Sequence, residues 1–64
     1  MKKIPKVGQR VVVDRQDDEY LGRDGVVVQK FVGYGVRYER RADVIVRLPD
    51  GTCRGYHRTE LRRL

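Results

Sequence analysis

The sequence predicts an all-β fold of five short strands wrapped into a small closed or nearly closed barrel, and three observations carry that prediction. Three apolar runs, Val11 to Val13, Val26 to Val28 and Val44 to Val46, are short, β-branched and bounded by Gly, Asp, Arg or Pro, as strands are. No window of ~11 residues holds a helical period. The chain has 64 residues, enough for one domain near the lower size limit for a core without disulfide or metal. Closure would remove the exposed edges that a flat sheet this small leaves.

The elements follow in order. Residues 1–6 are basic and read as a flexible amino-terminal arm. The first strand is expected over residues 9–14 and the second over 25–31, joined by a polar, acidic loop at 15–22. A second long loop, 33–41, mixes glycine with Tyr34, Tyr38, Arg37, Arg40 and Arg41. The third strand is expected over 43–48. Pro49, Asp50 and Gly51 then form a turn signal, with proline fixing φ and glycine free to take a positive φ, so a fourth strand over 52–56 should complete a hairpin. Residues 57–60 suit one tight helical turn before a closing strand at 61–64.

Strict alternation sorts the apolar runs. Val11, Val13, Val27, Val44, Val46 and Leu48 point inward; Val12, Val26, Val28 and Ile45 point outward. Strand curvature, together with the intrinsic fit of valine to strands, is one account of the outward set. A surface patch awaiting a partner or a second copy of the chain is the other.

Charge is the strongest compositional feature. Fifteen Lys and Arg oppose nine Asp and Glu, a net +6, and eleven of the bases are arginine, whose planar fork suits phosphate and carboxylate. Such a field favours nucleic acid, an anionic surface or an acidic protein, and it also serves solubility. No apolar run reaches the ~20 residues of a membrane span and no signal-peptide pattern is present, so a cytoplasmic protein is expected, in keeping with a single free cysteine.

Catalytic and metal chemistry find little support. Cys53 and His57 lie four residues apart across a strand and turn, a spacing that brings no third orienting group, so they read as a buried structural cysteine and an exposed loop histidine. Asp17, Asp18 and Glu19 lack the spacing of a calcium loop and read as a solvated loop. Gly33, Tyr34 and Gly35 lack the strand-to-helix setting of a phosphate-binding loop and read as a turn. No enzyme, metal, cofactor or small-molecule substrate is expected. Phe31 and Tyr56 are the rings expected in the core, and Tyr20, Tyr34 and Tyr38 cover it or meet a partner.

The stretches VGQRVVV, LGRDGVVV, DVIVRLPDG and TELRRL resemble the SH3-like small barrels, the group that includes KOW and Tudor modules. Gly8, Val11 and Val13 match the first part of the KOW pattern, and Gly22, Gly25 and Val27 the second. The chain departs from it in a longer acidic loop before Gly22 and in Lys30, where an apolar residue is expected. The resemblance implies a binding module.

The expected function is therefore non-catalytic binding of RNA or DNA. Lys2, Lys3, Lys6, Arg37, Arg40, Arg41, Arg54, Arg58, Arg62 and Arg63 would neutralise phosphates, and Tyr34 and Tyr38 would stack on bases. The alternative is a protein-interaction or assembly subunit, docking on an acidic or apolar protein surface or self-associating through Val12, Val26, Val28 and Ile45. No membrane partner is expected.

Overall fold

The structure is a computed structural model that describes residues 3–33 and 42–64, the side chains of 31–33 excepted. It is all-β, as the apolar runs predict. Strands β1 (Arg10–Val13), β2 (Asp24–Gly33), β3 (Ala42–Arg47), β4 (Cys53–Tyr56) and β5 (Leu61–Arg63) form one antiparallel sheet in the order β4-β3-β2-β1-β5. A 3-10 turn, Arg58–Glu60, stands where the sequence predicts a helical turn. β1 is short, but its pairing with β2 continues beyond both ends. Gly8 N–H donates to Val27 O (2.7 Å) and Val27 N–H to Gln9 O (3.0 Å); beyond the other end, Val13 N–H donates to Arg23 O (2.9 Å) and Gly22 N–H to Val13 O (2.9 Å).

The sheet curls strongly. β4 and β5 lie at opposite edges, which a flat sheet would hold four strand spacings, or about 19 Å, apart. Residues 57–60 are all that separate Tyr56 from Leu61, and with three of them in a 3-10 turn they reach only about 13 Å. Tyr56 and Leu61 nevertheless belong to one core cluster with Val11, Val13, Val27, Val44, Val46 and Leu48. The bend is built into β2, whose register against β3 shifts between Val27 and Gln29 and again between Lys30 and Gly33. Each shift inserts a residue on the β2 side, and such bulges bend and twist a strand.

Gly25 is what lets β2 and β3 close up on the inner side. It is buried opposite Val11, and a Cβ there would lie 2.5 Å from Val46 Cγ1 and 2.8 Å from the Arg47 carbonyl oxygen. The β3–β4 hairpin turns through Pro49, Asp50 and Gly51, with Gly51 N–H bonded to Leu48 O (2.9 Å) and Gly51 at φ 88°. That is the positive φ the turn signal anticipates, and Asp50 Oδ1 accepts the Thr52 N–H (2.9 Å) to close the loop.

Burial corrects the alternation at one position. The inward set is buried as expected, Val12 and Val26 are half-buried, and Val28, the extra residue at the first register shift, is 37% exposed. Ile45, expected outward, is only 7% exposed. It lies between Gln29 and Gly55 in register, with a strand on either side, and it is outside the main core cluster. The outer side of the sheet therefore carries covered apolar surface of its own, which two-residue alternation with one solvated face does not anticipate.

The amino-terminal segment is described from Lys3 onward. Ile4 packs against the core cluster and Pro5 is buried, while Lys3 and Lys6 stay exposed. Among the described residues no helix is long and apolar enough to cross a membrane.

Candidate nucleic-acid interface

The positive surface takes its shape from the way the acidic residues are used. Each of the eight described carboxylates has a partner within the chain. Asp24 Oδ2 accepts from Arg10 Nη2 (2.7 Å), Asp17 from Arg15 Nε (3.0 Å), and Glu19 from Arg54. Glu60 accepts the His57 N–H (2.8 Å) and lies 3.5 Å from Arg15; Asp14 lies 3.6 Å from Arg62. Asp43 accepts the Arg58 N–H (2.8 Å) and faces His57 Nδ1 at 3.9 Å. Asp18 caps the Tyr20 N–H (2.8 Å), and Asp50 accepts the Tyr20 hydroxyl (2.7 Å).

The bases are left in excess. Lys3, Lys6, Arg23, Arg47, Arg58 and Arg63 are exposed, and their side chains have no ion pair among the described residues. Sequence reasoning anticipates four of these six. Arg23 and Arg47 it misses, although the outward parity of Arg47, one place after inward Val46, is a signal that was there to be used. Arg54 and Arg62 are in internal pairs. Lys2, Tyr34, Arg37, Tyr38, Arg40 and Arg41 lie outside the described residues, as does the Phe31 side chain.

The acidic loop is a clasp more than a solvated tract. Tyr20 packs on the core from residues 15–22, bonds to Asp50 through its hydroxyl, and carries the Arg54 guanidinium 5.0 Å above its ring centre. Glu19 holds the same guanidinium from the side. Asp50 sits below the usual carboxylate range because the Thr52 N–H and then the Tyr20 hydroxyl stabilise its charge; Asp24 is lowered chiefly by its hydrogen bond from Arg10.

Two shallow depressions meet at Pro49. One, of about 380 Å³, is walled by Val26, Leu48 and Pro49, with Arg10 and Arg47 beside them. The other, of about 300 Å³, is walled by Tyr20 and Pro49, with Arg23, Glu19 and Asp50 around it. Arg10, Val26, Arg47 and Cys53 run in one row across β1, β2, β3 and β4 on the outer face.

Cys53 is exposed, which corrects its reading as a buried structural thiol. It falls on β4, an edge strand, and pairs in register with exposed Arg47 on its one covered side. The His57 imidazole is partly covered and faces Asp43. Tyr56 is in the core as expected, at 1% exposure. No cluster of three or more metal-ligating side chains occurs among the described residues. Compared with known proteins, the chain matches no family model and no curated sequence.

Proposed function

We propose that the protein is a non-catalytic binding module, a small SH3-like barrel whose basic surface binds nucleic acid in the cytoplasm. One observation carries this reading: the described carboxylates are all used internally, while the side chains of six exposed bases have no ion pair among the described residues. Surplus charge held this way is available to phosphates at no cost in internal pairs. Lys3, Lys6, Arg58 and Arg63 are free contacts; Lys2, Arg37, Arg40 and Arg41 extend the set, and Tyr34 and Tyr38 offer stacking rings. Arg54 and Arg62 contribute only by leaving Glu19 and Asp14. The barrel reading is supported by a core to which all five strands contribute and by the short link between the two edge strands.

A salt titration with labelled single- and double-stranded oligonucleotides tests the proposal. Binding should weaken steeply with salt, with a log–log slope near −0.7 to −0.9 per phosphate neutralised, about −3 or steeper for the free set alone. Absence of binding to either probe at about 50 mM salt would refute it.

A protein-interaction role is the second reading, favoured by exposed Val28 beside half-buried Val26 and Val12. Ile45 is already covered and adds nothing to such a patch. Self-association through it predicts a molecular mass that rises with concentration and a Val26→Lys variant that stays monomeric; a monomer at all concentrations removes the homo-oligomer.

A further inference from the structure

We infer that the two depressions flanking Pro49 form a track for a single-stranded nucleic acid, with Arg23 and Arg47 as its phosphate contacts. The inference rests on the nucleic-acid reading above and gives it a place and a strandedness. Both arginines are exposed, without an ion pair among the described residues, and positioned at the depressions, one on each side of Pro49. The walls between them are apolar or aromatic: Tyr20 and Pro49 on one side, Val26, Leu48 and Pro49 on the other. A positive rim beside apolar faces suits a strand whose bases can leave the stack and lie against the protein while its phosphates meet arginine. A duplex keeps its bases paired and presents only its phosphates to such a surface.

The acids around the depressions do not undo this. Asp24 is held by Arg10, Glu19 by Arg54, and Asp50 directs its oxygens to the Tyr20 hydroxyl and the Thr52 N–H. Among the described residues that line the track, Asp50 is the carboxylate without a cationic partner, so Arg23 and Arg47 outnumber the unneutralised carboxylates there. Arg58 and Arg63 carry equal charge and are equally free, but neither lines the depressions.

Anisotropy with a labelled single-stranded oligonucleotide and the matching duplex tests the track in the full chain, using Arg23→Gln/Arg47→Gln and, for equal charge loss, Arg58→Gln/Arg63→Gln. Wild-type protein should prefer the single strand. The Arg23/Arg47 variant should bind it on the order of tenfold more weakly, with the salt slope reduced by about 1.4, and the Arg58/Arg63 variant should lose distinctly less. Circular dichroism confirms that both variants stay folded. Equal losses in the two variants, or a preference for duplex, overturn the track and leave nucleic-acid binding standing. No binding of either probe by wild type overturns both.

Discussion

Replacing Tyr56 with phenylalanine tests the polar weak point of the core. The ring is 1% exposed, and its hydroxyl is buried with no well-formed hydrogen bond among the described residues, although the Asp18 carboxylate lies beside it. An unpaired buried hydroxyl costs roughly 1–3 kcal/mol relative to one left in water. Phenylalanine removes that cost, keeps the ring, and leaves a gap of a single oxygen, so Tyr56→Phe should stabilise the fold by about 1 kcal/mol, or about 4–8 °C in Tm for a domain of this size. The pH dependence gives a second reading. Burial pushes the Tyr56 hydroxyl well above its ordinary value of 10.0, and the negative charge of Asp18 pushes it further. Above about pH 10 the unfolded chain therefore releases a proton that the folded chain retains, and wild-type stability falls by up to about 1.4 kcal/mol per pH unit from this group. The phenylalanine variant lacks this loss, so its advantage should widen between about pH 9 and pH 11. Urea unfolding followed by circular dichroism measures both effects. A variant destabilised by more than about 1 kcal/mol at neutral pH refutes the reasoning, because the hydroxyl would then be making a net favourable bond, with Asp18 the acceptor at hand.

Gly25→Ala should destabilise by about 1–3 kcal/mol, since the Arg47 carbonyl that meets the new Cβ at 2.8 Å is backbone and cannot swing away; a change under ~0.5 kcal/mol in urea unfolding contradicts the close approach. Gly51→Ala, at φ 88°, should cost about 1 kcal/mol by the same assay without moving any side chain in the core. Asp24 and Asp50 are both lowered from 3.8, so the stability they contribute is present above that pH and is lost as pH falls through their folded values; Asp24→Asn should flatten the acid limb, and an unchanged limb argues against the Arg10 pair. Cys53 should react with a thiol reagent in the native protein as readily as in the unfolded chain, and protection from the reagent would contradict its exposure.

Much of the architecture was legible because the signals were local. β-branched runs, the Pro49-Asp50-Gly51 turn and the short 57–60 link place every element within a residue or two of the sequence expectation. What was not legible depends on contacts distant in sequence. Ile45 has the parity of an exposed residue, yet it is 7% exposed, on a central strand between Gln29 and Gly55. Cys53 has the composition of a buried residue and falls on an edge. Gly25 was legible as the opening of the second strand; its requirement for glycine comes from Val46 and Arg47 on the neighbouring strand, more than 20 positions on. The candidate site was legible as a total charge but not as a set of residues, because pairing partners such as Glu19 with Arg54 are 35 positions apart.

That pairing bears on what the acidic cluster is for. A +6 chain with its acids scattered in solvent would present a diffuse field, weakened everywhere by nearby negative charge. Here residues 17–19 are all used within the chain: Asp17 on Arg15, Asp18 on the Tyr20 backbone and Glu19, across the fold, on Arg54. The surface pairs among them contribute little stability individually, so their larger effect is on which arginines remain available. Neutralising Glu19 would free Arg54 from its carboxylate and raise the total positive charge by one, yet it would also loosen the clasp that positions Tyr20 beside Pro49. If the field alone governs binding, Glu19→Gln strengthens oligonucleotide affinity; if the Tyr20 wall matters, the gain is cancelled or reversed for a single strand and kept for a duplex. The two probes compared on that one variant separate electrostatic attraction from a shaped site.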